Sequence, residues 1–395
     1  MTTWTTKPLG DVVAQMKTGS TPSTSRPEFF KGSIPWFTPG DIGRSRDLVK
    51  SSRTITKEAL STGKAKLFDE HTLLVTCIGN IGRVGVLQQK SSSNQQITAL
   101  KFPDEIDPYF AYYWFIFNQH KLESFANIAV VPILNNERMS DISFSYPPIS
   151  EQKRFAAQLA QADRLRQLRR NASQLGESYL QSAFLAMFYS KENRNWPKVT
   201  IEEIVKKGKN KIRTGPFGSD LKHSEFVDEG VFVLGIDNAV NNRFEIGRPR
   251  YITEKKYEQL KRYTVFPDDV LITIMATLGR CAIVPENFPK SINTKHLCCI
   301  TLDQSKCLPI YLQQCFLRHP QVLEQLGVSE RGAVMPGLNM GLIKDLVLPL
   351  PPLPEQERFA KIVARYEKLR AQMRESTRQA EMLFQGLLYE SFGKN

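Results

Sequence analysis

The chain of 395 residues carries 53 Lys and Arg against 40 Asp and Glu, a formal net charge of +13, with 41% hydrophobic and 24% charged residues. That length predicts two or more domains, and with neither an apolar run of about 18 residues nor a basic-then-apolar start the expectation is a cytoplasmic protein without a membrane span. The six cysteines (Cys77, Cys281, Cys298, Cys299, Cys307, Cys315) form no Cys-x-x-Cys, which argues against structural zinc and a disulfide framework, while the positive excess points to a polyanion, usually nucleic acid.

In chain order, the first segment WTTKPLGDVV from Trp4 resembles WPKVTIEEIV from Trp196, each read as a short opening helix. TGSTPS (Thr18 to Ser23) matches TGPFGS (Thr214 to Ser219) as a loop by composition. IPWFTPGDI (Ile34 to Ile42) aligns with VFVLGIDNA (Val231 to Ala239), a buried strand entering a polar turn. SRTITKEAL and PRYITEKKYEQL share Arg53/Arg250, Ile55/Ile252 and Thr56/Thr253, a strand end and a capped short helix. The apolar runs Leu73 to Ile78 and Val270 to Met275 are predicted strands, each followed by a loop with Gly82-Arg83 or Gly279-Arg280 and a second strand. NQQITALKF from Asn94 is matched to NTKHLCCITL from Asn293, so that Gln95-Gln96 stand against Thr294-Lys295. One aromatic, mostly buried helix is expected from each of YFAYYWFIFNQHKLESF and IYLQQCFLRHPQVLEQL. VVPILN (Val130 to Asn135) and VMPGLN (Val334 to Asn339) then precede a strand.

The strongest repeat follows. YPPISEQKRFAAQLAQADRLRQL and LPLPPLPEQERFAKIVARYEKLR pair at one gap-free offset: Pro147/Pro351, Pro148/Pro352, Glu151/Glu355, Gln152/Gln356, Arg154/Arg358, Phe155/Phe359, Ala156/Ala360, Leu165/Leu369 and Arg166/Arg370. This is a tandem duplication. A double proline and then a long proline-poor run predicts helices over 151–188 and 355–392, each about 55 Å long at about 1.5 Å per residue, with Ser150 as the first N-cap. Phe155, Leu159, Ala162, Leu165, Leu168, Ala172, Leu175 and Tyr179 form one apolar seam. Phe359, Ile362, Tyr366, Leu369, Met373, Ala380, Leu383 and Leu387 form the other. Alternating steps of three and four predict coiled-coil pairing, most simply antiparallel. The fold class expected is α+β, a pseudo-twofold repeat of two domains, 1–148 and 191–352, separated by spacer helices at 149–190 and 353–395.

Catalytic motifs are missing. There is no Gly-x4-Gly-Lys-Ser/Thr, no Asn/Asp-Pro-Pro-Tyr and no His-x-Glu with Cys-x-x-Cys, and Gly79 to Gly85 joins two strands instead of opening a helix. Asp104-Glu105 and Asp268-Asp269 are followed by no Glu-x-Lys. His71, His120, His223, His296 and His319 lack ligand-spaced partners. The expectation is a binding protein with no catalytic residue, metal or cofactor of its own.

The PP-[IL]-x-EQ-x-RFA pair, GSTPSTSRPEFFKGSIPWFTPGDI, GNIGRVG, NQQITAL and VPILN/VMPGLN together resemble the specificity subunit of type I restriction-modification systems, over essentially the whole chain. The resemblance implies two target recognition domains, each reading half of a bipartite site in double-stranded DNA. Its spacer helices would fix the gap between half-sites and dock two methyltransferase subunits, with Glu151, Gln152, Arg154, Phe155, Glu355, Gln356, Arg358 and Phe359 as the docking residues. Those subunits would bind S-adenosylmethionine and methylate adenine, and a separate ATP-dependent motor-endonuclease would cut.

Base reading favours Arg for guanine and Asn or Gln for adenine, presented on loops. The DNA-binding residues expected in the first domain are Arg26, Lys31, Arg44, Arg46, Asn80, Arg83, Asn94, Gln95 and Gln96. In the second they are Lys222, His223, Asn238, Asn241, Asn242, Arg243, Thr277, Arg280, Lys295 and His296. Arg83 and Arg280 recur at matched places, so a shared role such as a turn clamp or phosphate contact is expected; residues that differ should read sequence. The alternatives are a single-chain DNA-modifying enzyme, which would modify DNA unaided, and a protein-binding adaptor, whose DNA binding would not weaken with salt.

Overall fold

The computed structural model describes residues 3–62, 65–128, 131–190, 196–327 and 338–393. Val130 and the Val334–Gly337 part of VMPGLN lie outside them. The chain forms two compact units, the first of residues 1–171 with 375–395, the second of residues 172–374. Each unit therefore holds one half of each long helix.

In the first unit a five-stranded sheet runs in the order Gln15–Thr18, Ile97–Lys101, Leu73–Thr76, Val84–Leu87, Asp47–Leu48, and a three-stranded sheet in the order Arg53–Ile55, Ile34–Phe37, Ser92–Ser93. In the second unit the corresponding sheets are Ile212–Thr214, Leu297–Ile300, Val270–Thr273, Cys281–Ile283 and Tyr251–Ile252, Val231–Leu234, Ser291–Asn293, Thr264–Val265. Registers repeat: Leu73 faces Leu100 and Val86, as Val270 faces Ile300 and Ile283. The central strands are largely apolar because both faces are covered, as in Leu73, Leu74 and Val75, all fully buried.

The opening segments differ from expectation. Thr5–Pro8 and Lys198–Thr200 are strands, with helical turns only after them at Leu9–Val12 and Ile201–Ile204. They pair with Ser143–Tyr146 and Val347–Pro349, partners far along the chain that no local pattern reveals. The expected aromatic helix is broken in both halves, into Pro108–Phe117 and Gln119–Ser124, and into Pro309–Arg318 and Pro320–Gln325. His319 is extended because Pro320 disfavours the helical region for the residue before it. Thr56 and Thr253 cap their short helices, as expected, accepting the Ala59 and Lys256 amides. Asn135 and Asn339, the last residues of the two VPILN-type motifs, do the same for Arg138 and Leu342.

The two long helices span Ile149–Phe188 and Leu353–Phe392, 40 residues each. Ser150 lies inside the first turn, not at the N-cap; the Pro148 carbonyl accepts the Glu151 and Gln152 amides. Within each unit the helix halves run antiparallel. In the first, Arg166 and Arg170 bind Glu381, and the Arg166 guanidinium sits 3.9 Å over Phe384. In the second, Phe359 packs on Phe184 and Phe188, and the Tyr366 hydroxyl donates to Glu177 at 2.9 Å.

The apolar seam holds only at the helix ends. Ala156, Leu159 and Ala162 with Phe384, Leu388 and Phe392 enter the core of the first unit; Leu180, Phe184 and Phe188 with Phe359, Val363 and Tyr366 enter that of the second. Leu168, Leu175 and Tyr179 are 54%, 70% and 61% exposed. Leu165, Leu369 and Leu383 are exposed as well. Two of the buried runs step by four, 180, 184, 188 and 384, 388, 392, because those helix ends pack on a domain core. A run stepping by four drifts off a heptad stripe. Among the described residues no helix is long and apolar enough to cross a membrane.

Candidate nucleic-acid interface

At one end of the large sheet in each unit, three loops meet. In the first unit they are the loop after Thr18, the hairpin between Thr76 and Val84, and the segment 94–96. The Gly19 and Ser20 amides donate to the Ile97 and Ser93 carbonyls at 2.9 Å, and the Cys77 amide donates to Gln96 at 2.8 Å. A Cβ at Gly19 would collide with the Asn94 carbonyl, and one at Gly215 with that of Asn293. That close approach explains the Thr-Gly of both loops.

The hairpin is built identically twice. The Thr76 hydroxyl donates to the Asn80 carbonyl and accepts the Arg83 amide at 3.0 Å; the Thr273 hydroxyl donates to the Thr277 carbonyl and accepts the Arg280 amide at 2.9 Å. Gly82 and Gly279 adopt φ of 79° and 76°, where a side chain is strained. The clamp is thus made by the Arg main chain, and both guanidinium side chains are exposed. Neither is bound by another described side chain.

Hydrogen bonding realigns the neighbouring loops by one residue. The Asn94 amide donates to Phe37 and the Thr294 amide to Leu234, while Gln96 and His296 accept from Cys77 and Ile274. Asn94 therefore matches Thr294, Gln95 matches Lys295 and Gln96 matches His296; the shared Asn of the two sequence motifs is not equivalent. Burial, Lys295 and Arg250 hold the His296 imidazole below its usual range, so at neutral pH it offers one donor and one acceptor.

The structure sorts the expected contact residues into two kinds. Lys31, Arg44, Asn80, Arg83 and Gln95 are exposed in the first unit, as are Lys222, His223, Asn241 and Arg280 in the second; Gln96, Lys295 and His296 are half-buried. The Thr21 hydroxyl donates to Gln95, and the Asn241 amide donates to Glu245 at 2.7 Å.

The others are paired with groups of the protein itself or buried, Arg26 being paired while still exposed. Asn94 is buried and braces Gln96 through its side-chain amide, donating to Gln96 Oε1 at 2.9 Å. Asn238 is fully buried, accepting the Gly235 amide at 2.8 Å and donating to the Glu245 carbonyl at 2.9 Å, so it closes a loop and presents nothing. Asn242 at φ 59° accepts the Cys281 amide at 3.3 Å. Arg26 is held by Glu28 and Glu58 over Phe29, Arg46 by Asp47 over Tyr109, and Arg243 by Glu367. The Thr277 hydroxyl is buried.

The expected docking residues also divide. Gln152 and Gln356 are fully buried, as is Phe359, while Phe155 is half-buried and stacks on Trp4. Gln152 accepts the Asp107 amide at 2.9 Å and donates to the Glu105 and Pro147 carbonyls; Gln356 accepts the Leu308 amide at 2.8 Å and donates to Lys306 and Pro351. These two side chains fasten each helix to its own domain. Glu151, Arg154, Glu355 and Arg358 form ion pairs along the helix surface.

Sequence reasoning missed Phe217 and Met275, exposed apolar side chains on the corresponding loops of the second unit, of a kind that can pack on a thymine methyl. Their signal was position, inside TGPFGS and at the hairpin. It also missed the Thr76/Thr273 brace, visible as a threonine seven residues before each arginine.

A family model described as the type I restriction modification DNA specificity domain matches residues 1–174 and again 193–382. Over 380 residues the chain is 24% identical to the type I restriction enzyme MjaIX specificity subunit of Methanocaldococcus jannaschii, covering 91% of this chain and 86% of that one. It is 23% identical over 295 residues to the EcoBI specificity subunit of Escherichia coli, spanning 68% of this chain and 61% of that one. Among solved structures, the type I restriction-modification S subunit from M. genitalium shares the fold with a TM-score of 0.55 at 18% identity, over 99% of this chain and 96% of that one.

Proposed function

The chain belongs to the type I restriction-modification DNA specificity family and is a DNA specificity subunit; on that premise we propose that each unit reads one half of a bipartite site in double-stranded DNA. The observation that carries this is a repeated scaffold with divergent loops. Thr76, Gly82 and Gln152 recur as Thr273, Gly279 and Gln356 with the same bonds, while Asn80, Gln95 and Gln96 give way to Thr277, Lys295 and His296. Two readers that differ only in their loops suit an asymmetric site.

The long helices set the spacer between half-sites and dock two methyltransferase subunits, through the exposed Leu168, Leu175, Tyr179, Leu369 and Leu383 and the surface charges Glu151, Arg154, Glu355 and Arg358. Adenine-N6 methylation with S-adenosylmethionine belongs to those subunits, and ATP-dependent cleavage to a further motor-endonuclease chain.

Methylated-base sequencing of host DNA with and without this chain tests the reading. A split adenine motif that vanishes with the chain is expected; unchanged methylation would sink it. Purified chain that methylates or cuts DNA unaided would favour a single-chain enzyme instead. Exchanging residues 77–96 for 274–296 should rewrite one half-site and leave the other intact.

A further inference from the structure

We propose that each unit carries, beside its reading loops, an arginine cleft that grips a DNA backbone phosphate without reading sequence, with Arg83 and Arg280 as the matched ligands. This rests on the DNA-reading assignment above.

The two units contain cavities of about 470 and 680 Å³ built at the same place. Each lies between the Gly-Arg end of the hairpin, the first broken aromatic helix and an arginine of a long helix. In the first unit these are Arg83, Ile116 and Arg166; in the second, Arg280, Leu317 and Arg370. Among the described residues no carboxylate lines the first cleft. Its Arg166 is answered by Asp163 and Glu381, which leaves Arg44 and Arg83 as cations without a partner among the described residues. In the second, Glu177 answers Arg318 and Glu367 answers Arg243 and Arg370, which leaves Arg280.

Unanswered guanidiniums in a concave site bind oxyanions. The first cleft is mostly polar; the second is more apolar and holds Glu177 and Glu367, both already committed to arginines. Position identifies which one. Arg83 and Arg280 are the same residue on the same threonine-braced turn, yet their neighbours across the cleft differ, Arg44 against Asn241 and Tyr112 against Gln313. A contact to a base should change between the halves of an asymmetric site. A contact to phosphate, identical in every sequence, should not, and such contacts fix register and orientation.

The test uses the full chain and a random-sequence duplex of about 40 base pairs, with affinity measured between about 50 and 200 mM salt. The R83Q/R280Q double variant should bind on the order of tenfold more weakly, and its log–log salt slope should fall by about 1.8, at about 0.9 for each phosphate no longer neutralised. Each single substitution should give half the slope change, R83K/R280K should retain most of the wild-type slope, and the methylated motif in cells should stay the same. An unchanged slope in the glutamine variants overturns the proposal. So does a changed half-site, which would make either arginine a base reader. So does loss of methyltransferase co-purification with an intact slope, which would assign the clefts to an acidic protein segment. A wild-type slope near zero would refute the DNA-reading assignment itself, a result distinct from these.

Discussion

Replacing Gln356 by Leu should show how strongly a single side chain ties a recognition domain to its helix. The glutamine is fully buried and makes three hydrogen bonds to main chain, accepting the Leu308 amide at 2.8 Å and donating to the Lys306 and Pro351 carbonyls at 3.0 and 2.8 Å. Leucine is close in size but removes all three. Each missing bond costs about 1 kcal/mol, and the orphaned Leu308 amide adds roughly 1–3 kcal/mol. Apolar burial of the new side chain offsets about 1–2 kcal/mol. The net loss is about 3 kcal/mol. For a unit of this size that lowers the melting temperature by roughly 6–12 °C. Calorimetry of the full chain, with amide exchange at Leu308, measures both consequences. Gln152→Leu should do the same to the first unit, with faster exchange at Asp107, whose amide Gln152 accepts at 2.9 Å. A loss under about 1 kcal/mol with unchanged exchange would refute the locking role.

His319 provides a pH test of the second unit. Its ring nitrogens are buried, the ring lies against Phe184 and Tyr189, and burial lowers its pKa from 6.5 to about 4. The folded state binds the proton less well than the unfolded one, so the stability is full above pH about 6.5 and falls as pH drops toward 4, by roughly 3 kcal/mol. A His319→Leu variant should flatten that part of the melting-temperature profile, and an unchanged slope would refute the assignment to this residue. Phe384→Ala should cost about 3–5 kcal/mol and raise amide exchange in residues 73–128, although Phe384 is distant in sequence, because it lies in that unit's core. Faster exchange confined to residues 270–326 would contradict the division into units.

Much of this was legible in the sequence because duplication supplies an internal comparison. The two long helices, the apolar strand pairs, the Gly-Arg hairpins and the threonine caps all follow from local pattern repeated at matched spacing, whereas the short helices capped by Asn135 and Asn339 stand where only a following strand was expected. What escaped depends on partners distant in sequence. The opening strands need Ser143–Tyr146 and Val347–Pro349, and the one-residue shift that pairs Gln96 with His296 is set by main-chain bonds to Cys77 and Ile274. The exposed stretch of the helical seam is set by the domain cores into which the helix ends fit, not by helical period. Asn94 and Asn238 have the composition of base readers, and only burial shows that their amides are spent inside the protein.

The same point governs the charge. A net +13 says that a polyanion is attracted, but not where. Arg26, Arg46, Arg166, Arg213, Arg243, Arg250 and Arg318 each face a carboxylate, so their charge is largely cancelled at short range. Arg213, buried with Asp269, is removed from any surface role. The cations that can meet phosphate are those the fold leaves unanswered, Arg44, Arg83 and Arg280 among them, and they sit beside the loops that diverge. On the proposed reading, a field set by such residues steers DNA to the reading face and leaves discrimination to the neighbouring amides and imidazole. Specificity can then change by loop substitution alone, with the affinity from the shared arginines kept, provided the braces at Thr76, Thr273, Gln152 and Gln356 are untouched.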